Sequence, residues 1–456
     1  DMSTEATKPG AIILFVSHDM GGGVQRHIAQ LEALLAGKAE VARLLSQPGN
    51  CVKLSLASDT WYFDQLTQFE DLLELLRTMQ VSCLHIHHLF GFLADFWQLP
   101  NRLNLPYNLT LHDYSLVNGS TTLSDGESYF LRDLGRQNMP SLAQLPSWCI
   151  DLPQWQRMAS ELIESADQVF CPCKFTLEIL RAHYSNANYR HCYHPDWELD
   201  APYPAVTSTV HSGGKLRVAV LGMLSREKGA DRLDECAIAV RENGYPIEFV
   251  LFGQSYRRLD DSVVTLGRYE EHELAQLMVA QSIDLVWFPA LCAEVYSYTP
   301  SHGLRRGLPV LAPDIGAFSE RLRGRPLSFI FNYRASVNDI LAQLETIRQQ
   351  LLQGGQPQVW VEQDLPSLQE FLYTRDYLAM LPQTPYSSRR ELAAFDQYSK
   401  RPAALARAAF RTRLLRSLLS LSDARIFVFL QRVIPYAVQK RFKRLLSDKP
   451  LHELDS

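Results

Sequence analysis

WFPALCAEVYSYTPSHGLRRGLPVLAPDIGAFSE, residues 287–320, carries more architectural information than any other part of this chain. An apolar, strand-like run from Ile283 to Phe288 ends in a loop with one acid, Glu294. Ser297-Tyr298-Thr299-Pro300 then reads as a helix start: the Thr299 hydroxyl can cap, and Pro300 suits a first turn where no backbone N–H is needed. Gly307-Leu308-Pro309 stops the helix, and Val310–Ala312 reads as a second buried strand. An acid beside a helix N-terminus suits a phosphate joined to a polyol, because backbone N–H groups hold the phosphate while the acid accepts hydroxyls.

The same alternation runs outward from this stretch. Leu216–Leu221, Ile247–Phe252 and Val263–Leu266 read as strands, with helices over Ala230–Asn243 and Glu271–Gln281. Upstream, strands are expected at Ala11–Val16, Val52–Ala57, Cys83–His87, Tyr107–Leu111 and Gln168–Cys171, and helices near Gln25–Ala36, Phe63–Met79 and Leu152–Ser165. A segment rich in Pro, Ser, Thr and Gly, Asp200–Gly214, divides the two series. The pattern predicts an α/β protein with two parallel-sheet domains, residues 1–203 and 204–375, and a helical extension over 376–456. Two such domains face each other across a cleft, and ligands bind at the carboxyl ends of the strands that border it. Ser115–Asp151 is long and turn-rich, a length that usually accompanies function or mobility.

Composition narrows the function classes. The chain has 456 residues, 46% hydrophobic and 21% charged, enough to build sizeable cores. A net charge of −5 argues against a nucleic-acid partner. No run of about 18 apolar residues is present, so no spanning segment is expected. Asp1–Gly10 is polar and reads as a flexible end, and Ile12–Ser17 is too short for the apolar part of a signal peptide. The eight cysteines lack paired metal-type spacing, which points to reduced structural thiols and a cytoplasmic setting.

Chemistry-bearing residues fall at the strand ends. Gly21-Gly22-Gly23 follows the first strand and lets the backbone approach an anionic ligand. Arg26 stands where a dinucleotide-binding fingerprint needs its last glycine, so that reading is weak. His112 and Asp113 end another strand, with Asp113 a candidate to orient the His112 ring. His85 and His87 share a strand face, but no third metal ligand follows at a suitable spacing, so no metal is expected. Ser225-Arg226-Glu227-Lys228-Gly229 opens the second series with two cations.

Together these segments resemble the retaining glycosyltransferases of family 4, which have the GT-B fold of two facing Rossmann-like domains. The resemblance covers roughly residues 11–330. Glu294 matches the first of the family's two glutamates spaced eight apart; the second falls on His302. Lys228 matches the lysine that neutralises the leaving diphosphate, while Met223 takes the place of the accompanying arginine, leaving Arg226 as the candidate substitute. The resemblance implies catalytic roles for His112, facing the donor's anomeric carbon, and for Lys228 and Glu294. It implies donor contacts from Gly22, Gly23, Gly253, Tyr269, Ser297, Tyr298 and Thr299, with His302 at the ribose. The string Glu294-Val295-Tyr296-Ser297-Tyr298-Thr299 is also similar to enzymes of bacterial O-antigen and rhamnan-type polysaccharide assembly.

The implied activity is transfer of a sugar from a nucleotide-diphosphate sugar to a growing glycan or lipid-linked glycan, without a metal or other cofactor. A different GT-B nucleotide-sugar enzyme, an epimerase or hydrolase, is one alternative. A degenerate scaffold that recruits a membrane-associated assembly is another, motivated by Met223 and His302. From Arg401 to Arg444 eleven Lys and Arg face one acid, Asp423, in a helix-patterned segment with apolar and basic residues on different faces. That tail is expected to pack on the first domain, meet an assembly protein, or sit at an anionic membrane, which would place the protein peripherally on the inner face of the cytoplasmic membrane.

Overall fold

Ile13, Leu14, Phe15 and Val16 are all buried, so strand β1 (Ile12–His18) is covered on both faces, as a central parallel strand must be. The computed structural model describes residues 10–124, 144–199, 202–208, 210, 212–361, 371–382, 389–420, 434–435, 438–439 and 441. Around β1 lie β2 (Glu40–Gln47), β3 (Cys51–Leu56), β4 (Asp59–Asp64), β5 (Cys83–Ile86), β6 (Tyr107–Thr110), β7 (Gln168–Cys171) and β8 (Tyr189–His191). Their order is β4-β3-β2-β1-β5-β6-β7-β8. The pairs from β2 through β1 to β8 are parallel, but β3 and β4 pair antiparallel. This corrects two expectations. The sheet has an antiparallel edge, and the helix expected from Phe63 begins only at Phe69, because Trp61 and Phe63 alternate into the core as strand residues.

The second sheet is wholly parallel: β9 (Leu216–Leu224), β10 (Ile247–Ser255), β11 (Val264–Thr265), β12 (Leu285–Trp287), β13 (Val310–Pro313) and β14 (Ser328–Phe331), in the order β11-β10-β9-β12-β13-β14. Val218, Leu251 and Trp287 face one core, beneath the helices Ala230–Asn243 and Val337–Leu352; Ala219, Val250 and Val286 face the other. The strand order reverses at β1/β5 in the first sheet and at β9/β12 in the second. Each reversal opens a crevice at the strands' carboxyl ends.

After the second domain the chain returns to the first. Phe371, Tyr373 and Tyr377 join the core formed by Ile13, Phe15, Cys83 and Phe170, while Glu198 accepts from the backbone N–H groups of Tyr373 and Thr374 at 2.8 Å each. Tyr398 packs on Phe63 with ring centroids 4.6 Å apart. In the basic tail, the helix Ala403–Ser420 buries Leu405 and Leu415 and exposes Phe410 and Leu414 beside Arg407 and Arg411. Apolar and basic residues therefore share one exposed face, contrary to the expected separation. Residues 421–433 of the tail and 125–143 of the turn-rich stretch lie outside the described residues. All eight cysteines are buried free thiols.

Candidate functional site

At the β9/β12 crevice the ammonium of Lys228 stands 3.4 Å from the Glu294 carboxylate. Glu294 raises the Lys228 pKa and so keeps it charged. The Lys228 loop leaves β9 and is braced by the Ser225 hydroxyl, which accepts from the Lys228 N–H at 3.2 Å. The Glu294 loop leaves β12 and is pinned from behind, where its carbonyl accepts from the Ala317 N–H at 2.8 Å. Gly316 makes that approach feasible: at φ 64° a Cβ there would sit 2.4 Å from the Glu294 oxygen. Gly253 lies against Gly222 on the neighbouring strand, where a Cβ would stand 2.1 Å from the Gly222 carbonyl oxygen. It shapes the strand end, and no contact links it to Lys228 or Glu294.

Arg226 does not turn to Lys228; its Nε lies 3.1 Å from Asp231 on the next helix. Thr299 begins the helix Thr299–Arg305 as expected, but it does not cap it, because its hydroxyl shares a 2.8 Å hydrogen bond with Ser297, which sits at φ 58°. Tyr298 reaches across to the first domain. Its hydroxyl donates to Gln30 at 2.8 Å, the Arg26 guanidinium lies 4.4 Å from its ring centroid, and a Cβ on Gly23 would stand 3.6 Å from it. Gly22 opens the helix beside it. Arg26 also meets Glu271 at 2.6 Å, so this side of the cleft is laced by contacts between domains.

His302 lines a cavity of about 480 Å³ with Glu270, Glu271, Met278 and Arg305 among its walls. Burial, with Arg305 and Arg26 nearby, lowers its pKa to about 3, so the ring is neutral and keeps one acceptor nitrogen. Tyr269 is half-buried, and burial followed by Glu271 pushes its phenol up to about 12.

Across the cleft, His112 shares a 3.3 Å hydrogen bond with His87. Burial, then His27 and His88, lower its pKa well below the usual value. Asp113 does not orient it. That carboxylate is held by His88 at 2.7 Å and by the Ser115 N–H at 2.8 Å, contacts that outweigh burial and bring its pKa to about 2. His85 is a structural residue, with one ring nitrogen on Tyr377 at 2.6 Å and the other on Thr110 at 2.7 Å.

Sequence reading missed the brace behind the Glu294 loop. Buried Arg321 bonds the Ser297 carbonyl and, at 2.7 Å, the Ser301 hydroxyl, while buried Asp196 accepts from Tyr296 and, at 2.9 Å, from Ser301. Nothing local to Arg321 or Asp196 signals burial; only the docking of Ala317–Arg321 beneath the loop creates it.

No protein-family model matches this chain, and no curated protein matches its sequence. Solved structures do. Sucrose-phosphate synthase (tll1590) from Thermosynechococcus elongatus aligns with a TM-score of 0.52 at 15% identity, covering 90% of this chain and 100% of that one. The apo form of the lipopolysaccharide outer core galactosyltransferase WaaB aligns at 0.51 with 11% identity, covering 80% and 98%. The likeness is one of fold: this chain has the GT-B architecture of two Rossmann-like domains followed by C-terminal helices.

Proposed function

We propose that the protein is a retaining glycosyltransferase that takes a sugar from a nucleotide-diphosphate sugar and adds it to a growing bacterial surface polysaccharide. The observation that carries this reading is the Lys228–Glu294 pair, 3.4 Å apart at the second sheet's switch point. A cation and a hydroxyl-accepting acid side by side suit a diphosphate joined to a sugar. In the reaction the bond between C1 and the diphosphate oxygen breaks, its electron pair leaves with the diphosphate, and Lys228 stabilises that charge. The acceptor hydroxyl bonds to C1 on the same face and gives its proton to the departing phosphate oxygen. Glu294 holds the sugar hydroxyls, and neutral His112 faces the developing positive charge on the ring. The cavity beside His302 is of a size to take the nucleoside.

A peripheral position at an anionic membrane, where a lipid-linked acceptor would be met, belongs to this reading through the positive charge of the tail, in which Arg407 and Arg411 are exposed. Among the described residues no helix is long and apolar enough to cross a membrane. One observation favours a second reading, a scaffold without turnover: Arg226 is engaged by Asp231 and so does not add to the charge of Lys228. Incubation with a panel of nucleotide sugars and membrane-derived acceptor distinguishes the two. The transferase reading expects nucleoside diphosphate release, an axial product anomer from an axial donor by NMR, and a rate loss of about 10²-fold or more in Glu294→Gln. No release with any donor supports the scaffold.

A further inference from the structure

Four imidazoles converge at the carboxyl edge of the first sheet from four separate elements: His27 on the helix Gly22–Leu35, His87 after β5, His112 after β6 and His194 after β8. His27 is their centre, its ring centroid 5.4 Å from His87, 5.1 Å from His112 and 4.2 Å from His194. It is 0% exposed, yet neither of its ring nitrogens has a hydrogen-bond partner, and His87 Nε2 and His194 Nδ1 are likewise unpartnered. A neutral imidazole always carries one donor and one acceptor, so such burial calls for a ligand. His85 shows the contrast, with both nitrogens satisfied.

One nitrogen from each of His27, His87 and His112 lies within 4.8 Å of the other two. The 3.3 Å between His87 Nδ1 and His112 Nε2 matches the edge of a tetrahedron whose centre is about 2.0 Å from each corner. We propose that His27, His87 and His112 bind one divalent transition-metal ion of the zinc class, with His194 packed on the His27 ring as its positioning residue. All-imidazole ligation suits zinc, copper or nickel rather than magnesium or calcium. Burial keeps the three rings neutral, the state that coordination requires. The three ligands come from distant parts of the chain, so no spacing motif announces them.

His112 is the one residue this site shares with the proposed transfer reaction, where its ring faces the sugar, and the two readings are told apart because the readout here is bound metal rather than turnover. Chelator-stripped protein titrated with Zn²⁺ and Co²⁺ should bind one equivalent per chain, give the visible absorption of tetrahedral Co²⁺, and melt at a higher temperature with Zn²⁺ but not Mg²⁺. His27→Gln should weaken binding by more than about tenfold. His112→Gln, nearer the cleft, should do the same if His27→Gln does not fold. Lys228→Ala should still bind one equivalent. Substoichiometric binding by the wild type, or one equivalent retained in a folded histidine variant, overturns the proposal.

Discussion

Acidification from pH 7.5 to 5.5 should remove several kcal/mol of folding stability, and the buried histidines set the size of the effect. His27, His85, His87 and His194 are each 3% exposed or less. Burial is the largest cause lowering each pKa; neighbouring imidazoles add to it, and for His194 so does Arg321. His85 falls to about 3. In the unfolded chain each ring titrates near 6.5, so below that pH the unfolded state takes up protons that the folded state refuses. Stability is therefore complete above about pH 7 and is lost as the pH falls through 6.5 towards the folded-state values. Each silent imidazole costs a little over about 1 kcal/mol across this interval, and these four cost about 5 kcal/mol, a large share of a typical 5–15 kcal/mol, to which the half-buried His112 and His302 add in the same direction. Asp113, with its pKa near 2, stays ionised throughout and does not contribute. Urea unfolding in the presence of chelator at the two pH values measures the loss, and His85→Gln should reduce the pH-dependent part by about 1 kcal/mol. A loss below about 1 kcal/mol would refute the reasoning, because the rings would then be protonating inside the fold.

Two further substitutions probe the brace behind the Glu294 loop. Gly316→Ala, at φ 64° with its Cβ 2.4 Å from the Glu294 carbonyl oxygen, should cost about 1–3 kcal/mol in denaturant unfolding and weaken nucleotide binding as well. Arg321→Met leaves buried Asp196 without a countercharge and should cost about 3–5 kcal/mol; a change under about 1 kcal/mol would contradict a bracing role for Arg321.

Local punctuation is legible in the sequence. Ala230–Asn243 begins and ends where its pattern says, and the Thr299-Pro300 start and Gly307 stop are where expected. Features that depend on pairing are not. Glu40–Gln47 buries Ala42, Leu44 and Ser46 at period two, but Arg43 and Ser46 weaken the apolar signal. The end of Asp59–Asp64 reads as part of a helix because its aromatic residues carry no period long enough to separate it from the helix Phe69–Thr78. The helix Val337–Leu352 does carry a readable signal, the Ser336–Asp339 capping box. At the site, strand ends tell where Lys228 and Glu294 lie, while their ion pair, the turn of Asp113 to His88 and the histidine convergence come only from the sheet order.

The most direct test of the donor site is calorimetric titration of wild type and Lys228→Ala with UDP, GDP, dTDP, ADP and CMP in metal-free buffer. One diphosphate should bind the wild type, and Lys228→Ala should weaken it about 10–100-fold through loss of a charged contact. No binding by any nucleotide, or binding indifferent to Lys228, would contradict a donor site at Lys228 and Glu294.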